Sequence, residues 1–122
     1  MKITQIAFTC YAVSDIKKAR AFYEGVLGLT SGGDFPPTEE SQFVEYEIGN
    51  GTLAIGCSPD WKPSSDGASA ALEVEDFDAV LAELKKKNIS VFSGPHVFPS
   101  CSMVVLKDPD GNKVTLHKRK EK

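Results

Sequence analysis

Apolar positions along the chain follow two periods. After Asp15, the residues Ala19, Phe22, Tyr23, Val26 and Leu27 stand at i, i+3, i+4, i+7 and i+8. That spacing makes one apolar helix face. Lys17, Lys18, Arg20 and Glu24 fall off it. Asp15, or Ser14 before it, is a suitable N-cap, and Gly28 suits the C-terminal stop. A second helix is predicted after Asp76, where Phe77, Val80, Leu81 and Leu84 repeat the spacing. Lys85, Lys86 and Lys87 would complement the dipole of its last turn, and Asn88 can take a left-handed stop.

A short apolar-rich stretch precedes each helix, at 6–13 and 68–74, and reads as a strand. After each helix the pattern predicts a short strand, a loop and a hairpin. The first hairpin is 42–48, the turn Gly49-Asn50-Gly51, and 52–55. The second is 103–106, the turn Asp108-Pro109-Asp110-Gly111, and 113–116. Asn-Gly and Asp-Gly pairs are favoured hairpin turns because both residue types tolerate positive φ.

The two halves repeat at a constant offset of 61. Val13-Ser14-Asp15-Ile16 returns as Val74-Glu75-Asp76-Phe77, Gly33 as Gly94, and Leu53-Ala54-Ile55 as Val114-Thr115-Leu116. The expected fold is α+β, with two βαβββ modules at about 3–57 and 67–118 in a single domain spanning 1–122. A linker at about 58–66 carries Pro59, Pro63, Ser64 and Ser65. Neither half is large enough to bury its sheet face alone, so the halves are expected to pair.

This repeat resembles the vicinal oxygen chelate superfamily, which includes glyoxalase I, bleomycin-resistance proteins, fosfomycin-resistance enzymes and extradiol dioxygenases. The resemblance rests on Val13-Ser14-Asp15-Ile16, on Phe22-Tyr23-Glu24-Gly25-Val26-Leu27-Gly28-Leu29 and on Asp108-Pro109-Asp110-Gly111-Asn112. It covers nearly the whole chain. It implies a curved mixed sheet from each module, the two forming a cup around a small molecule, and it implies a homodimer. The motif residues themselves pack, cap and turn, and they say nothing of a reaction.

In metal-using members the resemblance implies a His in the first strand and a Glu in the last strand of each module. The matched places here hold Phe8 and Ser69, then Ala54 and Thr115, each pair 61 apart. None of the four is His, Cys, Asp or Glu, and a divalent ion needs about three or more protein ligands. A slip of one residue reaches Thr9, Leu53, Ala70 and Val114, which are no better. No metal and no other cofactor is expected. That disfavours the metal-dependent chemistry of the family, such as hemithioacetal isomerisation.

Strand parity then suggests what lines the expected cup. Ile6, Cys10 and Ala12 share the face of Phe8, and Thr52 and Gly56 that of Ala54. Ala71 and Glu73 share the face of Ser69, and Lys113 and His117 that of Thr115. Small residues with an aromatic wall suit a small organic ligand. The ligand-binding candidates are Phe8, Cys10, Ala54, Trp61, Ser69 and Thr115. Phe8 fits plain packing equally well, and Trp61, the only tryptophan, could cover a core edge. Glu73 and His117 are candidates for an acid–base pair if the strands bring them together; otherwise they are half-exposed strand ends. Cys10 reads as a small hydrophobe, and His96 as a loop residue.

Composition narrows the classes. No apolar run approaches the roughly 20 residues of a membrane helix, and the first residues lack a secretory apolar stretch. A net charge of -3 leaves no footprint for nucleic acid, and Glu121 interrupts the one basic run, 117–122. Cys10, Cys57 and Cys101 are odd in number and far apart, so no disulfide framework is expected and a cytoplasmic location fits. The expected partners are a small organic ligand and a second copy of the chain, with no membrane. Two functional readings follow. One is a protein without the usual metal ligands that binds a small organic molecule. The alternative is a glyoxalase- or dioxygenase-type enzyme, a lyase or oxidoreductase, with displaced or non-metal catalytic residues. An accessory module without a ligand is a third.

Overall fold

The computed structural model describes residues 2–32 and 42–120, so Gly33 of the repeat lies outside the described residues. The chain divides into two compact units, Met1–Ser64 and Ser65–Lys122. The first contains β1 (Thr9–Ala12), α1 (Ile16–Arg20), β2 (Phe43–Ile48) and β3 (Gly51–Gly56). Its strands run in the order β1-β3-β2, with β1 parallel and β2 antiparallel to β3. The second contains β4 (Ala70–Glu73), α2 (Phe77–Lys86), β5 (Ser93–Val97), β6 (Cys101–Lys107) and β7 (Lys113–Arg119), in the order β4-β7-β6-β5. The fold is α+β, with open mixed sheets of three and four strands. The repeat survives in the register: Thr9 pairs with Leu53, and Ala70 pairs with Val114, 61 residues on in both strands. No helix among the described residues is long and apolar enough to cross a membrane.

Both helices start where their caps predict. The Asp15 carboxylate accepts from the amides of Lys17 and Lys18, and that of Asp76 from the amide of Ala79. Asn88 ends α2 at φ 56° and Gly28 closes the first helix at φ 73°, the left-handed conformation expected of both. The first helix is not α throughout. From Ala21 to Val26 it winds as a π-helix, and the Leu27 amide reaches back five residues to the Phe22 carbonyl. The wider turn rotates the later positions. Phe22 and Tyr23 are buried, while Val26 and Leu27, expected on the same face, are only half-buried. The short strand expected after this helix is reduced, among the described residues, to one bridge between Ser31 and Tyr46.

The core of the first unit is aromatic. The Tyr23 ring stacks on Tyr46 at 6.1 Å and lies against Tyr11 at 6.1 Å, with Phe22 edge-on at 5.0 Å. Tyr11, Val44, Tyr46, Leu53 and Ile55 therefore form the buried face of this sheet, toward the helix. Above them the Tyr46 hydroxyl donates to Glu24 at 2.9 Å, and Glu24 also accepts from Arg20 Nε at 2.7 Å. The Arg20 hydrogen bond, aided by Tyr46, holds the Glu24 carboxyl below its ordinary range. Desolvation, with the hydrogen bond to Glu24 added, pushes the Tyr46 hydroxyl far above its own.

In the second unit Val104, Leu106, Val114 and Leu116 form the buried sheet face. The β6–β7 turn is closed by Asp108, which is itself buried. Its carboxylate accepts from the amides of Asp110 and Asn112 and from Asn112 Nδ2, at 2.8–2.9 Å. Gly111 takes φ 86°, which favours glycine there. In each unit the other sheet face carries the predicted site residues.

Candidate functional site

In the first unit an aromatic shelf covers the face turned away from the helix. Phe43 is the ladder partner of Gly56, and partners share a face. Trp61 approaches from the segment after β3, its amide bonded to the Ser58 carbonyl at 3.0 Å. Its ring occupies the space above Gly56, where an added Cβ would clash with Trp61 and come within 3.2 Å of Phe43. Phe8, just before β1, meets Phe43 edge-on at 5.8 Å. The three rings remain substantially exposed: Phe8 49%, Phe43 38% and Trp61 47%. Aromatic residues of this size normally bury most of their surface, so three together on one face form a ready apolar contact area.

Cys10 and Ala54 lie beside this shelf as direct ladder partners, with Glu45 on the far side of Ala54. Cys10 is exposed, and desolvation raises its thiol pKa, the opposite of what a nucleophile needs. Ala54, expected to leave open room, is instead fully buried. Its methyl group lies between its ladder partners Cys10 and Glu45.

In the second unit the strands do bring Glu73 and His117 together. They are register partners across the parallel β4–β7 ladder. Glu73 Oε1 lies 2.6 Å from His117 Nδ1, and Glu73 Oε2 accepts from the Arg119 amide at 2.7 Å. The Arg119 amide, then His117, hold the Glu73 carboxyl below its ordinary range. Ala71, Glu73, His117 and Arg119 line an open concavity of about 650 Å³. The row continues across the sheet, because Met103 pairs with His117 and His96 with Met103. His96 is thus on a strand, where its Nε2 lies 2.7 Å from Ser93 Oγ; the expected loop position is corrected. Ser69 is exposed just before β4, and Thr115 is half-buried opposite Ala71.

The four places where the family resemblance implies metal ligands offer a phenyl ring, a buried methyl group and two hydroxyls. Neither Phe8 nor Ala54 can donate to an ion, and neutral Ser and Thr hydroxyls make a poor set for a transition metal. Among the described residues no group of three or more His, Cys, Asp or Glu side chains could hold one. The residues present do not fit the metal.

Sequence reasoning missed Phe43 and Arg119. Phe43 was in reach, since counting outward from the Gly49-Asn50-Gly51 turn sets it opposite Gly56. Arg119 acts through its backbone amide, which no side-chain pattern reveals.

A family model described as Glyoxalase/Bleomycin resistance protein/Dioxygenase superfamily matches residues 3–116. The chain is 24% identical to the metallothiol transferase FosB of Staphylococcus epidermidis over 96% of this chain and 83% of that protein. Among solved structures, TnmS3, an antibiotic binding protein from Streptomyces sp. CB03234, superposes with a TM-score of 0.76 at 26% identity, covering 98% of this chain and 99% of that one. A glyoxalase/dioxygenase from Nostoc punctiforme superposes with a TM-score of 0.78 at 18% identity, covering 96% and 92%.

Proposed function

The chain belongs to the Glyoxalase/Bleomycin resistance protein/Dioxygenase superfamily, and from that premise we propose that it binds a small, flat organic molecule without a metal ion. The observation that carries this reading is the aromatic shelf of Phe8, Phe43 and Trp61. Three half-exposed rings on one sheet face give a planar ligand a large apolar contact at little cost in side-chain entropy. A face contact with such a ring contributes about 0.5–1.5 kcal/mol beyond the area it buries. The likeness to a protein described as antibiotic binding supports the reading, as it joins this fold to binding of an organic compound. The relative described as a metallothiol transferase supports it less, because the places matched to metal ligands here hold Phe8, Ala54, Ser69 and Thr115.

Trp61 is the only tryptophan, so its fluorescence reports on the shelf directly. Titration with a broad set of planar aromatic compounds should find ligands that change Trp61 emission and raise the melting temperature together. Phe8→Ala should weaken such binding by about fivefold or more, as expected for the loss of a ring contact. If no compound in the set moves either signal, the reading fails. It fails too if Phe8→Ala and Phe43→Ala fold and bind as the parent does.

A further inference from the structure

The Glu73–His117 pair is chemically separate from the aromatic shelf and does not depend on the reading above. Glu73 is fully engaged: one oxygen accepts a hydrogen bond from His117 Nδ1–H and the other from the Arg119 amide. A carboxylate held at both oxygens fixes the tautomer and the orientation of the ring it faces. With Nδ1 carrying the proton, neutral His117 presents Nε2 as an acceptor. Among the described residues nothing is bonded to that nitrogen. The pair is accessible, with side-chain exposures of 20% for His117 and 48% for Glu73, and it lines the open concavity with Ala71 and Arg119.

From this geometry we infer that His117 Nε2 is a binding point for a small weak acid, a phenol or an enol, which it takes up together with the acid's proton. The step is a simple transfer. The ligand O–H bond breaks, a bond from Nε2 to that proton forms, and the oxyanion remains against the resulting imidazolium. Glu73 balances the new charge, so the transfer leaves a neutral ion pair on the protein side. No oxidant, reductant or metal is consumed. The groups that share the face around His117 are Glu73 on β4, Arg119 on β7, Met103 and Cys101 on β6, and His96 on β5. Glu73 is the one carboxylate among them, and it is already satisfied. The arriving oxyanion therefore meets the imidazolium and Arg119, which lines the same concavity. A neutral alcohol, too weak an acid to yield its proton, gains none of this.

The probe is 4-nitrophenol, whose phenolate absorbs visibly where the phenol does not. It is added to the whole protein at neutral pH, where an ordinary imidazole is mostly neutral and a substantial share of the free compound is still protonated. The expected result is a phenolate band that saturates with protein, together with a change of the His117 ring nitrogen resonances from the Nδ1-protonated tautomer to imidazolium. His117→Gln should abolish the band and weaken binding about tenfold, as for a lost charge-assisted hydrogen bond. Glu73→Gln keeps a group of the same shape and should retain the ring contact while lowering the bound phenolate fraction. The inference is overturned if 4-nitrophenol leaves the His117 resonances unmoved, or if the band persists in a folded His117→Gln variant. A probe bound only on the aromatic shelf gives the first of these outcomes and moves Trp61 emission instead, so the two sites are told apart.

Discussion

Trp61 and Gly56 are coupled by space: the indole lies where any side chain at position 56 would begin. The half-exposed aromatic shelf thus rests on the absence of one Cβ.

Gly56→Ala is expected to lift the indole off the sheet. Accommodating the extra methyl group should cost about 1–3 kcal/mol, the usual penalty of overpacking. Trp61 emission should shift to the red and binding of planar compounds should weaken. Unchanged emission in the variant would show that the ring is not held over Gly56.

Glu24, Arg20 and Tyr46 tie the first helix to its sheet, and the tie depends on pH. The Glu24 carboxyl is depressed in the folded protein, first by Arg20. A depressed carboxylate contributes its full stability above the unfolded value, 4.5, and loses it as pH falls through the lower folded value. The stability gap between the parent and Glu24→Gln, read by urea denaturation, should be constant near neutrality and shrink below about pH 4.5. Tyr46→Phe removes a hydrogen bond to a charged group and should cost about 1.5–3 kcal/mol. A gap that widened on acidification would contradict this account.

Protein purified without chelator or affinity tag should carry no stoichiometric zinc, nickel, manganese or iron. Elemental analysis decides it. A full equivalent of one of these metals, lost on substitution near Phe8, Ala54, Ser69 or Thr115, would reverse the assignment.

A homodimer is the expected assembly. Val97 is 70% exposed and Phe98 44%, both at the end of the β5 edge strand, and Ile3 and Ile6 are 82% exposed. Exposed apolar residues beside a strand edge favour association with another copy. Light scattering at micromolar concentration should return twice the chain mass, and Val97→Lys should shift it toward the monomer. A monomer mass for the parent counts directly against the expectation.

Much of the fold was legible because its signals are local. Asp15 and Asp76 announce helix starts through oxygens that need amides two and three residues away, and the 61-residue offset fixes the matching strands. The π-helical turn was not legible. The apolar spacing is that of an α-helical face, and nothing in it marks the change of winding at Ala21; Tyr23, within that segment, packs against Tyr46 and Tyr11. Of the candidate site, strand parity placed Glu73 and His117 on matching faces but could not show that β4 and β7 are neighbours in register. For Ala54, parity gave the face correctly and the exposure wrongly, because burial depends on the adjacent side chains. Phe43 was readable from the turn; the backbone hydrogen bond from Arg119 was not.

The strand ladders also bear on how the chain is made. Every ladder partner of β1 and β2 has left the ribosome once Gly56 has, before any residue of β4 emerges. The first sheet can close its hydrogen bonds during translation, as N-terminal units generally do. A unit of about 60 residues is only marginally stable by itself. The interval between the emergence of Gly56 and that of β7 is therefore when the newborn chain is most open to proteases and to chaperones. Synonymous codons that slow elongation during that interval would lengthen the exposure without altering a single residue.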